Sequence, residues 1–256
     1  MTQVAAASIP SEVLTPDRFL VLWQDPETRC YQRVGYLERD GAGYSFRYEP
    51  DARELEGFTG FAEFPDWSAT YRSEALFATF ANRVMTPRRE GYERYIESLG
   101  VPGPRPEPFE VLAVTLGARA TDNVQLLPMP RRNAGGALSL QFLVHGARHV
   151  DPDAALLAGV EAGDTLYLAS EPDNPHSPLA VLVGPNPGLT RDSALGYVPD
   201  VLAGLVGHLL HDYPIAVTAA HVNRPTDEPV PDHMRLLVRL DAVVPIDFDP
   251  DALLGL

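Results

Sequence analysis

The chain has 256 residues, 45% of them apolar, so it is long enough to fold as one or two domains around a buried core. All 20 basic residues are arginine, and the absence of lysine excludes a Walker A site, kinase chemistry and Schiff-base cofactors. The net charge of −15 is uneven, because residues 133–256 hold 5 arginines against 16 carboxylates. We therefore expect no broad nucleic-acid-coating surface in that half.

Several classes of protein are disfavoured by what the sequence lacks. Cys30 is the only cysteine, which excludes an internal disulfide and a cysteine-based zinc site. No apolar run approaches the roughly 20 residues that a membrane helix needs. Residues 1–15 lack a basic start and are interpreted as a flexible tail. We expect a cytoplasmic protein with no membrane association, no cofactor and no metal.

The first half predicts a small antiparallel sheet followed by helices. A short apolar run indicates a strand at 19–23, and alternating apolar residues indicate strands at 31–37 and 44–48, with a turn at Asp40-Gly41. Helical spacing predicts helices at 74–84 with Ser73 as N-cap, at 92–99 ended by Gly100, and at 109–116. A strand follows at 124–127. The Pro- and Gly-rich stretch 128–136 reads as a hinge, so we place domains at 16–132 and 133–250.

The second half predicts mainly antiparallel strands. Apolar runs indicate strands at 138–145, 163–170, 181–183, 196–198, 215–222 and 234–240. Helices are expected at 151–158, with Asp151 as cap and Pro152 at the first position, and at 201–210. The predicted fold is α+β: a small sheet-and-helix N-terminal domain plus an antiparallel β-barrel with two helices.

Histidine pairs are the main candidates for chemistry, and structural roles are favoured for each. His145 and His149 would lie roughly 13 Å apart on a strand, too far for one metal. His208 and His211 have helical spacing that could bind a metal, but no third ligand is evident. His176 and Ser177 beside Asp173 cannot form a hydrolase triad, because adjacent residues cannot make the required hydrogen-bond chain. We therefore predict no catalytic residues.

The N-terminal part resembles the front domain of HipA-type kinases, the toxins of persister toxin–antitoxin systems. The resemblance covers roughly residues 19–130. It is carried by Val34-Gly35-Tyr36-Leu37, Tyr44-Ser45-Phe46-Arg47-Tyr48, Glu74-Ala75-Leu76-Phe77, Phe80-Ala81-Asn82-Arg83, Phe109-Glu110-Val111-Leu112-Ala113 and Leu126-Leu127-Pro128. The kinase core that follows in the family is absent here. The resemblance implies a non-catalytic domain that docks a protein partner.

The C-terminal part resembles the HIRAN domain over roughly residues 138–243. The matching residues are Val144-His145-Gly146-Ala147-Arg148-His149, Gly163-Asp164, the run from Glu171 to Val181, Leu195-Gly196-Tyr197-Val198-Pro199 and Leu202-Ala203. The resemblance implies an OB-like barrel that captures the 3′-terminal nucleotide of single-stranded DNA. OB-type barrels present aromatic side chains for base stacking, and an end-binding protein contacts few phosphates.

The resemblance also implies a set of nucleic-acid-binding residues. These are Arg148, His149, Asn174, His176, Ser177 and Tyr197. Asn174 agrees with the family, while His176 replaces a usual Tyr and Ser177 a usual Asp. Leu179 replaces a usual Asn, and Asp200 stands where a basic residue is common.

Two functions follow as hypotheses. The first is a non-enzymatic protein that binds a single-stranded DNA end, with a role in DNA repair or replication-fork maintenance. The alternative is a protein-interaction or regulatory module related to HipA-type toxin–antitoxin systems, without kinase activity, which the acidic balance favours.

Overall fold

The protein is described from a computed structural model that covers residues 16–119, 121–151, 154–224 and 230–253. The predicted tail, residues 1–15, and the helix position assigned to Pro152 lie outside these ranges. The chain forms two compact units. The first unit comprises residues 16–93 and 101–129, and the second unit comprises residues 94–100 and 130–253.

The first unit is built on a five-stranded antiparallel sheet in the order β4-β3-β2-β1-β5. Its strands are β1 (Arg18–Gln24), β2 (Tyr31–Asp40), β3 (Gly43–Tyr48), β4 (Tyr71–Ser73) and β5 (Val124–Pro128). The predicted strands at 19–23, 31–37, 44–48 and 124–127 are confirmed. The hairpin turn at Asp40-Gly41 joins β2 to β3, where Asp40 pairs with Gly43.

Aromatic side chains form the core of the first unit. Phe19, Val21 and Trp23 alternate along β1 and enter one buried cluster, as the two-residue period of a strand requires. Phe46 lies at the centre, with its ring centroid 4.3 Å from that of Phe64. Each fully buried phenylalanine contributes about 1.5–3 kcal/mol through the area it removes from water.

The predicted helix at 74–84 is mostly wrong. The structure has one turn of helix, α1 (Ala78–Ala81), and Ser73 ends strand β4 instead of capping a helix. Pairing of Tyr44 with Ser73 extends the sheet into this segment. The cap comes from a distant residue, Glu63, whose carboxylate accepts from the backbone N–H groups of Ala78 at 3.1 Å and Thr79 at 2.8 Å.

The other two helices of the first half are confirmed. Helix α2 (Tyr92–Leu99) ends before Gly100, whose φ of +67° favours glycine. Helix α3 (Pro108–Thr115) begins with a capping box in which Glu107 and Glu110 exchange hydrogen bonds. Residues 94–100 pack with the second unit, where the Asn223 amide donates to the Ser98 carbonyl over 2.6 Å.

The second unit contains two three-stranded antiparallel sheets. One has the order β10-β11-β6, formed by β6 (Ala137–Leu143), β10 (Ile215–Val222) and β11 (Leu236–Val243). The other has the order β7-β8-β9, formed by β7 (Tyr167–Ser170), β8 (Val181–Gly184) and β9 (Gly196–Tyr197). Isolated bridges pair His145 with Tyr197 and Thr165 with Thr218. The α+β class is confirmed, and the closed barrel stays a prediction.

One of the two helices predicted for this unit is present. Helix α4 (Asp200–Asp212) buries Leu202, Leu205 and Leu209. The helix predicted at 151–158 is wrong in its described part, where a short 3₁₀ turn (Leu157–Gly159) stands instead. The Asp151 carboxylate accepts from the backbone N–H groups of Leu156 and Leu157, which stabilises this irregular turn. None of the helices in the described ranges has the length and apolar character to cross a membrane.

Candidate functional site

A cavity of about 400 Å³ opens in the second unit. It brings together five of the six predicted site residues, namely His149, Asn174, His176, Ser177 and Tyr197. Its other lining residues are His145, Gly146, Ala180, Arg191, Val198, Asp200 and Ala203. We call this space the His149 cavity.

One wall of the His149 cavity is the turn over residues 171–180. The two ends of this turn are joined by a hydrogen bond, in which the backbone N–H of Glu171 donates to the Ala180 carbonyl over 2.8 Å. Asn174 shapes the interior, since its Oδ1 accepts from the backbone N–H of His176 at 2.9 Å and of Ser177 at 3.3 Å. Such an Asx turn is a standard use of asparagine. It holds His176 and Ser177 at the cavity wall.

A shared carboxylate ties this turn to strand β9. Glu171 Oε2 accepts from Asn174 Nδ2 over 2.5 Å and from the Tyr197 hydroxyl over 3.0 Å. Burial raises the pKa of the Tyr197 phenol, and the hydrogen bond to Glu171 and its negative charge raise it further. The phenol is therefore protonated at neutral pH and stays a donor to Glu171. The carboxylate fixes both side chains before any ligand arrives.

Backbone pairing places Tyr197 beside the opposite wall. Tyr197 and His145 exchange backbone hydrogen bonds of 2.8 and 2.9 Å. Gly196 makes this approach possible, because a Cβ there would lie 2.6 Å from the His145 carbonyl oxygen and 2.4 Å from Val144 Cγ1. The glycine therefore has a packing role at the site.

His145 and His149 line the same cavity, which corrects the prediction that they stand apart on one strand. Strand β6 ends at Leu143, and His149 lies in a 3₁₀ turn (Ala147–His149) that begins after Gly146 at φ +66°. Burial lowers the pKa of His145 to about 4, with His233 as a second cause. His145 is therefore a neutral imidazole at physiological pH.

The charged residues at the cavity differ from those predicted. Arg148 is exposed and is not a lining residue; its Nε donates to His149 Nε2 over 3.1 Å and so orients that ring. Arg191, in the 3₁₀ turn Arg191–Ser193, supplies the lining cation that sequence reasoning missed. Asp200, at the first position of α4, supplies a lining carboxylate. No motif marks Arg191, because its loop is irregular.

The local charge balance differs from that of the surrounding chain. The charged lining residues are one cation, Arg191, and one carboxylate, Asp200, whose formal charges cancel. Residues 133–256 as a whole carry 5 arginines and 16 carboxylates. The cavity is thus a near-neutral region of an acidic half, where a single phosphate group meets less repulsion than elsewhere.

Metal-binding groups do not gather in the part of the chain that the structure describes, where no three His, Cys, Asp or Glu side chains come together. His208 Nδ1 lies 3.0 Å from the carboxylate of Asp212, one helical turn away. That contact is an ion pair or hydrogen bond of helix α4 and accounts for His208 as a residue of a half-buried helix face.

Comparison with known proteins finds solved structures that are similar to parts of this chain. No protein-family model matches the chain, and no curated protein sequence matches it. The HIRAN domain of human HLTF is 20% identical with a TM-score of 0.28, over 43% of this chain and 79% of that domain. The N-terminal domain of HipA toxin is 19% identical with a TM-score of 0.30, over 45% and 94% of the two chains. A Lactobacillus plantarum protein is 19% identical with a TM-score of 0.32, over 41% and 94%. The function proposed below rests on the residues of the cavity itself.

Proposed function

We propose that this protein is a non-enzymatic binding protein whose second unit holds the 3′-terminal nucleotide of single-stranded DNA in the His149 cavity. The observation that carries the proposal is the convergence of three imidazoles, a phenol, an amide and a guanidinium on one concavity of about 400 Å³. Ligand pockets range from about 300 to 1,000 Å³, so this volume suits one nucleotide rather than a length of strand.

Stacking surfaces and hydrogen-bonding groups are both available to a nucleotide. His149 and His176 are exposed and offer flat rings, on which a base can stack in a sequence-tolerant way. Ser177 adds a hydroxyl to the lining, while the amide of Asn174 holds the turn in place through Glu171 and the backbone of His176. This mixture of flat apolar surface and few fixed polar groups is typical of nucleotide sites.

The ends of the nucleotide find complementary charge. Arg191 lines the cavity and can contact a phosphate, while the Asp200 carboxylate can accept from a terminal sugar hydroxyl. Asp200 thus takes the acceptor role that an acidic residue in place of Ser177 would have. A blocked 3′ end, which lacks the hydroxyl donor, leaves this carboxylate without its hydrogen bond and is bound more weakly.

The acidic charge of this half is compatible with end binding. A protein that neutralises one or two phosphates has a salt slope near −0.7 per phosphate, far below that of proteins that coat a strand. We expect an affinity that changes little between low and physiological salt.

We also propose an OB-like barrel as the frame of the site. The proposal is supported by the two isolated bridges, His145 with Tyr197 and Thr165 with Thr218, which join the two sheets at separate places. The Leu166 N–H also donates to the Val217 carbonyl over 2.9 Å next to the second bridge. Hydrogen exchange that protects these amides as strongly as those of β11 would support a continuous barrel, and rapid exchange would oppose it.

The binding test uses labelled oligonucleotides of one sequence with a free 3′ hydroxyl or a 3′ phosphate. Arg191→Gln is expected to weaken binding of the free end about ten-fold, because a charge-assisted contact is lost. Arg239→Gln is no suitable control, since Arg239 pairs with Asp241 at 2.7 Å. Arg148→Ala is the better comparison, because Arg148 does not line the cavity and contacts His149 from outside it, so its loss should have a smaller effect.

A further inference from the structure

A second concavity lies entirely within the first unit. It has a volume of about 470 Å³, and its lining includes Trp23, Phe58, Thr79, Arg83, Arg119 and Asn123. A neighbouring depression of about 230 Å³ shares Arg119 and Asn123 and adds Arg29. We call the two together the Trp23 trough.

The floor of the trough is a buried, fixed cation. The Arg83 side chain is 4% exposed, and its Nη1 donates to the carbonyls of Gly117 at 2.7 Å and Val124 at 3.0 Å. Its Nη2 donates to Asp122 over 2.8 Å. Within the described ranges its Nε is buried and has no hydrogen-bond partner, although a buried guanidinium normally has all its donors paired.

Further arginines make the trough cationic in an acidic chain. Arg29 and Arg119 are exposed at its rim, and with Arg83 they outnumber the one lining carboxylate, Asp122. Arg29 is held at φ +62°, an uncommon conformation for a residue with a side chain. The nearby Asp25 carboxylate accepts from the backbone N–H groups of Glu27 and Thr28 within its own turn. A chain of net charge −15 thus presents a local positive field here.

The other wall is aromatic. Trp23 and Phe58 have ring centroids 5.6 Å apart and form the apolar side of the trough. The outer edge of the Trp23 ring lies under Gly57, where an added Cβ would stand 3.4 Å from Trp23 Cη2. Trp23 is 8% exposed and Phe58 9%, so only a small part of each ring lines the trough. Asn123 and Thr79 add an amide and a hydroxyl between the aromatic and cationic sides.

From this arrangement we infer that the Trp23 trough is a second, independent binding site, which takes a nucleoside monophosphate with its base toward the aromatic side and its phosphate toward the exposed Arg119 and Arg29. Guanidinium groups recognise phosphate with directed hydrogen bonds, and an aromatic surface accepts any base. The same chemistry is offered by a free mononucleotide and by one nucleotide of a DNA strand. The inference does not depend on the cavity of the second unit.

The test exploits the position of the two tryptophans, Trp23 and Trp67, which both belong to the first unit. Tryptophan fluorescence of the full chain is followed while AMP, adenosine or a short oligothymidylate is added. Saturable quenching by AMP is expected, with adenosine at least about ten-fold weaker because it lacks the phosphate. Trp67→Phe, which leaves Trp23 as the only tryptophan, should retain the quenching.

Arg119→Gln is the decisive variant, and Arg105→Gln, an exposed arginine of the same unit outside the trough, is its control. Arg119→Gln should weaken the quenching ligand about ten-fold and Arg105→Gln should not. Quenching by AMP assigns the site to free mononucleotides, and quenching by the oligonucleotide alone assigns it to a strand. Unchanged fluorescence with all three ligands, or equal affinities in the two variants, would overturn the inference whatever the second unit binds.

Discussion

The Tyr197 hydroxyl donates to Glu171 Oε2 over 3.0 Å, and the same oxygen also accepts a hydrogen bond from the side-chain amide of Asn174. This shared acceptor connects strand β9 with the turn that forms the cavity wall. Its two donors come from separate segments of the chain, so the wall is fixed before any ligand binds. Preorganisation of this kind reduces the ordering that binding would otherwise require.

Tyr197→Phe should destabilise the second unit by about 1–2 kcal/mol, because Glu171 loses one of its two donors. Urea unfolding at pH 7.5 measures this. The raised pKa of Tyr197 has a second consequence: the folded state holds the proton more tightly, so this contribution is present below pH 10 and lost as the pH rises beyond it. As the pH rises above 10, the free energy of unfolding should therefore fall less in Tyr197→Phe than in the parent protein. Equal stability of both proteins at pH 7.5 would contradict the role of the hydroxyl.

Gly196→Ala should destabilise the protein by about 1–3 kcal/mol, since its Cβ would stand 2.6 Å from a backbone oxygen that cannot move aside. Gly159→Ala is the matched control, because nothing lies within 4 Å of a Cβ added there. The control should remain within about 0.5 kcal/mol of the parent in urea unfolding. Similar destabilisation of both variants would refute the close approach of β9 to His145.

Asn174→Asp should impair binding while keeping the turn. The acceptor for the N–H groups of His176 and Ser177 is retained, but a second carboxylate then faces Glu171 at the 2.5 Å contact. Two ionised carboxylates at this distance repel one another and disturb the wall at pH 7.5, whereas a proton taken up at lower pH restores the contact. The affinity of the variant for the oligonucleotide should be about ten-fold below that of the parent protein at pH 7.5. At pH 5.5 the difference in affinity between the two proteins should be smaller. A ratio independent of pH would argue against this pairing.

Folding stability should decrease in mild acid because of His145. Its pKa of about 4 in the folded state lies below the ordinary 6.5, so the unfolded chain binds more protons between these values. The contribution of His145 to the free energy of unfolding is fully present above pH 6.5 and is lost as the pH falls toward 4, by on the order of 3 kcal/mol. His145→Gln removes this titration, and its unfolding midpoint should vary less over that window. The same pH slope in both proteins would show that other groups cause it.

Much of the fold could be predicted from the sequence where local pattern and tertiary pairing agree. The apolar run in β1, the alternation in β2 and β3 and the helical face of Tyr92, Ile96 and Leu99 predicted the correct elements. The segment 74–84 has an equally regular helical pattern, yet only Ala78–Ala81 is helical. The helix begins where the distant Glu63 carboxylate accepts from the N–H groups of Ala78 and Thr79, a contact that the local pattern does not indicate.

For the candidate site, the sequence predicted the turn around Asn174 but not how the other lining residues come together. Asn174-Pro175 marks a shaped turn in the sequence, and the Asx turn at Asn174 follows that expectation. The convergence of His145 with His149 depends on a 3₁₀ turn after Gly146, which no periodicity indicates. Arg191 reaches the cavity from an irregular loop, so only the folded chain reveals it. A protein partner for the first unit stays a prediction.

The central claim is the capture of a terminal nucleotide in the His149 cavity. Fluorescence anisotropy with one short single-stranded DNA, carrying either a free 3′ hydroxyl or a 3′ phosphate, tests it most directly. The account predicts at least about ten-fold tighter binding of the free end, a shallow salt dependence, and loss of the difference in Asp200→Ala, which removes the carboxylate that would accept from the terminal hydroxyl. Equal affinity for the two ends, or no binding of either, would contradict it.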